Sequence, residues 1–223
     1  MQLAPLPRLT LSRVIDELTP KELSELGPDA VEVEALSLAA FTARQRRTWE
    51  RFFQDSPIEH ILTVPSVWLT QASPEVQAER YSVLEEWKEA WGCSRIHVIA
   101  TRTDWESRAL RTALGSDLIL EAPRGLSAAD VQGLQVSMDP FHVYGQQQES
   151  RLPRTLPQRE AHSKYWKIHG WHPTRWIRRY SREALQELWQ LSVHAQATHV
   201  CLAHSQRVAQ LTELKEIAAS ALQ

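Results

Sequence analysis

Four times along the chain a helix-like stretch ends in glycine and leads within a few residues into a short β-branched or apolar run. Leu23 to Leu26 passes through Gly27 into Ala30-Val31-Glu32-Val33, and Tyr81 to Trp91 passes through Gly92 into Arg95-Ile96-His97-Val98-Ile99. Arg108 to Leu114 leads through Gly115 to Asp117-Leu118-Ile119-Leu120, and Ala128 to Gln132 through Gly133 to Leu134-Gln135-Val136-Ser137-Met138. Glycine closes a helix in the left-handed conformation, so each unit predicts helix, cap, strand.

Glu59 to Val64, Lys164 to Ile168 and Thr198 to Leu202 predict further strands, with helices over Thr42 to Phe53, Arg182 to Val193 and Ser205 to Leu222. Strands that alternate with helices make a parallel sheet, because parallel neighbours need a crossover. Seven such strands, with no Gly-rich first turn, predict an α/β TIM-type (β/α)8 barrel over an open doubly wound sheet. The remaining strand is expected at Gln2 to Leu6, a degenerate segment with two prolines. From Pro140 to Ser163 the periodicity stops in a polar loop. One domain spanning residues 1–223 is expected, since 223 residues with 43% hydrophobic content bury a full core without staples.

Parity within the strands changes the picture, because side chains of one strand point alternately to the two faces of the sheet. Val31 and Val33 oppose Glu32 and Glu34; Leu118 and Leu120 oppose Ile119 and Glu121; Val136 and Met138 oppose Ser137 and Asp139. In the seventh strand Trp166 and Ile168 oppose Tyr165, Lys167 and His169. Polar residues thus recur on one face near carboxyl-terminal strand ends, where TIM-barrel sites are built. Glu121, Asp139 and His169 are the candidate ligands for a divalent cation or, without one, the candidate general acid and base, with Lys167 beside them. A solvated barrel mouth whose charges pair with Lys167 and loop arginines is the plainer alternative. Glu32 lies on the same polar face, and His97 and His204 are secondary members.

Charge sharpens this. The chain has a formal charge of −2, yet from Arg151 to Arg182 nine basic residues face one acid, Glu160, giving +8 and leaving −10 elsewhere. Within that stretch Tyr165, Arg175, Trp176, Arg179 and Tyr180 interleave guanidinium groups with rings, a pattern suited to an anionic small molecule or a nucleic acid. The plainer reading packs Trp166 beneath helices and solvates the basic residues. Cys93 and Cys201 lie far apart outside any CxxC pair and are read as reduced packing residues. No apolar run is long enough to span a membrane and the start lacks a signal-peptide layout, so a cytoplasmic protein is expected. GxGxxG, P-loop, GxSxG and HExxH signatures are absent.

Tyr165-Trp166-Lys167-Ile168-His169-Gly170 and Arg179-Tyr180-Ser181-Arg182-Glu183-Ala184-Leu185 resemble the Tyr-x-Arg-x-His-Gly and Tyr-Ser-x-Glu-x-Leu pattern of the YecE-like family, catalogued as domain of unknown function seventy-two. Ala30-Val31-Glu32-Val33, Leu120-Glu121, Met138-Asp139 and the stretch from His199 to Leu222 extend the resemblance over most of the chain. It implies a TIM-type barrel of unestablished activity, as a divergent, N-terminally shortened member. The family's opening Gly-Thr-Ser-Gly-Trp has no counterpart, Lys167 stands for Arg, and Leu202-Ala203-His204 replaces Phe-Asn-Asn. These departures fall at the barrel mouth and imply an altered substrate or a scaffold without catalysis. Two functions compete: a barrel that binds a phosphorylated or nucleic-acid-like ligand and hydrolyses it with a metal, and a catalytically inactive binding or interaction protein. A structural role in a complex rests only on the surplus of Trp and the last helix.

Overall fold

The computed structural model describes residues 5–12, 14–70, 73–99, 118–121, 135–141, 164–169, 171–172, 175–176, 179–204 and 206–221. Along these the elements run β1 (Arg8–Leu11), α1 (Pro20–Leu26), β2 (Ala30–Glu34), α2 (Ala35–Ala40), α3 (Ala43–Asp55), β3 (Glu59–Pro65), α4 (Ser66–Thr70) and α5 (Pro74–Ala90). Then follow β4 (Cys93–Ile99), β5 (Leu118–Glu121), β6 (Gln135–Met138), β7 (Tyr165–Ile168), β8 (Trp171–His172), β9 (Arg175–Trp176), α6 (Arg182–His194), β10 (His199–Leu202) and α7 (Arg207–Ser220). The chain divides into two compact units, Met1–Ser12 with Ser137–Gln223, and Arg13–Val136.

In the second unit β2, β3, β4 and β5 form a parallel sheet in that order. Local chemistry starts and stops its helices. Thr19 and Glu22 form a capping box ahead of α1, Thr42 and Gln45 another ahead of α3, and Ser73 caps α5, whose first residue is Pro74. Gly27 ends α1 at φ 53°, and its N–H donates to the Leu23 carbonyl, as the helix–glycine–strand pattern predicts. One face of the sheet is apolar, with Val31, Val33, Leu62, Val64, Ile96 and Val98 all buried. His60 shares that face and lies against the Phe53 ring of α3, centroids 4.7 Å apart. The register of β3 on β4 steps between His60, which pairs with Cys93, and Ile61, which pairs with Arg95, so Ser94 is an extra residue. Part of the Trp surplus is spent on the helices: Trp68, Trp87 and Trp91 stack in a ladder, with the Arg80 guanidinium 5.3 Å from the Trp68 ring centroid.

In the first unit β1, β10, β7 and β6 form a second parallel sheet in that order. Leu9, Leu11, Val200, Leu202, Trp166, Ile168 and Met138 are buried on its apolar face. Its helices α6 and α7 bury Leu185, Leu188, Trp189, Leu211, Leu214 and Ile217. The first strand among the described residues is Arg8–Leu11, which exists because Leu9 and Leu11 pair in register with Val200 and Leu202; most of the expected Gln2 to Leu6 lies outside the described residues. The seven other expected strands stand close to their expected bounds. The expected helices Arg108 to Leu114 and Ala128 to Gln132, with Gly115 and Gly133, lie outside the described residues, as does most of the loop after Phe141. No helix among the described residues is long and apolar enough to cross a membrane.

Candidate functional site

The polar face of the second unit's sheet carries Glu32, Glu34, Thr63 and His97. Register sets Glu34, Thr63 and His97 side by side across β2, β3 and β4, with Glu32 one step back toward the strand start. That diagonal brings His97 Nδ1 to 2.7 Å from Glu32 Oε1, with both side chains 0% exposed. Thr63 Oγ1 donates to the Val33 carbonyl at 3.3 Å. A lone charge in such a place is costly, and a hydrogen-bonded carboxylate–imidazole pair lowers that cost. With Glu32 ionised, Nδ1 is the donor, and proton exchange with any other group runs through Nε2. Sequence reasoning named Glu32 and His97 separately but not as a pair.

On the polar face of the first unit's sheet stand Tyr165 and Lys167 of β7, and both are buried. The Tyr165 ring meets that of His199, centroids 5.1 Å apart. Lys167, 3% exposed, pairs in register with Cys201, which in turn pairs with Thr10. Past the end of β6, Asp139 accepts two backbone amides: Oδ1 from Phe141 N and Oδ2 from His169 N, both at 3.0 Å. Phe141 stacks on Tyr180 at 4.3 Å, and Tyr180 meets the His204 ring edge-on at 5.4 Å. Gln210 of α7 accepts from Tyr180 N at 2.9 Å and donates to Tyr180 O at 2.7 Å. Arg179 reaches Glu213, also on α7, at 3.4 Å. Arg207 donates to the carbonyls of Ser12 and His204, tying the start of α7 to the ends of β1 and β10.

Of the residues singled out from sequence, Asp139 and His169 are therefore brought together, through the His169 amide, and Lys167 stands on the polar face of the same sheet. Glu121 ends β5 in the second unit, in register with Ile99; its side chain lies outside the described set. Among the described residues no group of three His, Cys, Asp or Glu side chains is arranged to hold a metal ion. The side chains of Arg175 and Trp176 also lie outside that set, but their backbones form β9, antiparallel to β8, pairing Trp171 with Trp176 and His172 with Arg175. Tyr180 is built into the core, whereas Arg179 is 63% exposed beside Glu213. Burial raises the Cys93 thiol to about 12, in keeping with a packing residue. Burial likewise lowers His60 to about 4, marking a neutral core histidine.

No family model matches the chain, and no curated protein matches it in sequence. Solved structures do. A D-psicose 3-epimerase from Clostridium cellulolyticum H10 superposes with a TM-score of 0.55 at 13% identity, covering 96% of each chain. A D-tagatose 3-epimerase-like protein gives 0.60 at 11% identity over 96% of this chain and 97% of its own. A phosphoribosylanthranilate isomerase from Thermotoga maritima gives 0.52 at 7% identity over 96% and 99%. At such identities the likeness shows fold alone: an α/β fold of the TIM type, which places the polar faces and strand ends described above in an architecture that builds its sites from them.

Proposed function

We propose that this TIM-type protein, a divergent member of the YecE-like family, binds a phosphate-bearing ligand beyond the carboxyl ends of β6 and β7, either a phosphorylated small molecule or a nucleic-acid strand. One observation carries the reading. In the basic, Trp-rich sequence that follows β7, β8 and β9 pair antiparallel soon after the strand that holds Lys167, so Trp171 with Trp176 and His172 with Arg175 occupy paired positions. Guanidinium and ammonium groups suit phosphate, and indole rings suit bases or sugars.

A second reading, metal-assisted phosphoester hydrolysis, is favoured by the adjacency of Asp139 and His169. Glu121, Asp139 and His169 are the donor types a divalent cation takes, and Lys167 and Arg175 offset phosphate charge. Among the described residues of the second unit, Glu32 and His97 form a carboxylate–imidazole couple, the residue types that general acid–base chemistry uses.

The test is fluorescence anisotropy with a fluorescein-labelled thymidine oligonucleotide at low and high salt, with inorganic phosphate and AMP as competitors. Competition by AMP at low concentration assigns a small phosphorylated ligand; displacement by salt but not by AMP assigns a strand. Joint replacement of Arg175, Arg178 and Arg179 by Ala weakens binding and flattens its salt dependence. Binding indifferent to both salt and that variant removes the reading. Elemental analysis of the wild type and Glu121→Ala then decides the second reading: metal present in the first and absent in the second supports hydrolysis, and none in either leaves a binder.

A further inference from the structure

Polar residues cross the first unit's sheet in rows, and Lys167 stands in the middle one. Register places Thr10, Cys201 and Lys167 side by side on β1, β10 and β7. Two residues toward the strand starts, on the same face, His199 pairs with Tyr165 and Tyr165 with Ser137. All of these side chains are buried. Two residues the other way, the Ser12 amide donates to the Leu202 carbonyl and the Ala203 amide to that of Ile168, so the pairing continues through Ser12, Ala203 and His169. In this upper row Ser12 and Ala203 are small, and Ala203 and His169 are partly exposed. Lys167 thus lies one row beneath partly exposed residues, with uncharged Cys201 and Thr10 beside it. Asp139, past the end of β6, takes the amides of Phe141 and His169.

We infer that Lys167 is a nucleophile that forms an imine with a small aldehyde or ketone arriving over Ser12 and Ala203. The inference goes beyond the phosphate reading and does not depend on it. Desolvation favours the neutral form of an amine, the form that attacks a carbonyl carbon, and buried lysines are suited to this use. The nitrogen–carbon bond forms as the carbonyl π pair moves to oxygen, and one proton passes from nitrogen to that oxygen to give a carbinolamine. Loss of its hydroxyl as water, with the second N–H proton, leaves the carbon–nitrogen double bond. Amine and carbonyl thus become imine and water with no other reagent. These transfers need groups that give and take a proton within reach. Tyr165 and His169 flank Lys167 on its own strand face, two residues to either side, and the His199 ring lies against Tyr165. Arg at the same place would hold charge and form no imine.

Reductive trapping on the full chain tests this. The protein is treated with dihydroxyacetone or pyruvate and sodium cyanoborohydride at neutral pH, then mapped by peptide mass spectrometry, where a trapped imine adds the mass of the ketone less one oxygen. With at least one of the ketones, Lys167 is expected to be trapped about tenfold faster than Lys21, Lys88, Lys164 or Lys215. Lys167→Arg keeps a cation and is expected to abolish that adduct. Ala203→Leu keeps the amine, covers its approach from a partly exposed position, and is expected to slow trapping at Lys167 about tenfold with the other lysines unaffected. It stands in if Lys167→Arg does not fold. His169→Gln and Tyr165→Phe are expected to lower the trapping rate and change its pH profile. Lys167 trapped by both ketones no faster than the exposed Lys21 overturns the inference. Trapping that Ala203→Leu leaves unchanged overturns the approach over that residue, and a pH profile unchanged in both remaining variants overturns the part given to His169 and Tyr165. Oligonucleotide and phosphate binding are read separately by anisotropy, so the two readings fail independently.

Discussion

Polar side chains in the two units solve opposite problems. In the second unit Glu32 and His97 are sealed from solvent and paired with each other. In the first unit polar side chains are spent on backbone: Asp139 on two amides, Gln210 on both groups of Tyr180, Arg207 on two carbonyls. The first arrangement lowers the cost of burying ionisable groups; the second holds main chain in place where no strand neighbour does. The difference teaches that polar residues of one chain need not share a task, and that their partners decide it.

The largest expected effect breaks the sealed pair. Glu32→Ala takes the carboxylate away from the buried His97 Nδ1 and should cost about 3–5 kcal/mol by urea unfolding, as removing one partner of a buried pair does. Glu32→Gln keeps an acceptor and should cost clearly less. A loss under about 1 kcal/mol in Glu32→Ala would show that the pair is not sealed.

Next comes His60, on the opposite face of that sheet. Burial holds the folded imidazole at about 4, against 6.5 when unfolded, so between these values the unfolded chain binds more protons. Stability is therefore full above pH 6.5 and declines as pH falls toward 4, by roughly 3 kcal/mol in all. His60→Phe should flatten that window in a series of unfolding curves; an unchanged slope would assign the acid loss elsewhere.

The smallest effect belongs to the first unit. Gln196, just beyond α6, has φ 54°, a region that L side chains enter at a cost. Gln196→Gly should raise stability by about 0.5 kcal/mol, a small rise in Tm. A fall would mean the Gln196 side chain contributes more than its backbone costs.

Much of this fold was legible because its strands alternate and its helices are punctuated. Ala30–Glu34 and Tyr165–Ile168 announce their faces by parity, and Gly27 and Gly92 take the left-handed conformation that helix-ending glycines imply. The helix expected from Tyr81 starts earlier, at Pro74, where Ser73 caps it, a start signal that periodicity does not register. Arg8–Leu11 escaped because four residues are too few for a period, and pairing with β10 is what makes them a strand. The candidate site was legible only as residue types. Parity located Asp139, but a carboxylate that holds the amides of Phe141 and His169 leaves no mark in the chain, nor does an amide that pairs with Tyr180. Glu32 finds His97 through the register of three strands, including the step at Ser94, and no local pattern encodes that.

That step has a chemical consequence. In an unbroken strand Cys93 would fall on the same side as His97, two pairs of residues away, and a thiol near an imidazole tends toward the thiolate that peroxides and alkylating agents attack. The extra residue turns Cys93 to the other side of the sheet, where its sulfur lies 3.9 Å from the Trp91 carbonyl oxygen. A single inserted serine thus serves as insulation, keeping an oxidisable sulfur and a proton acceptor in separate compartments of the same strand.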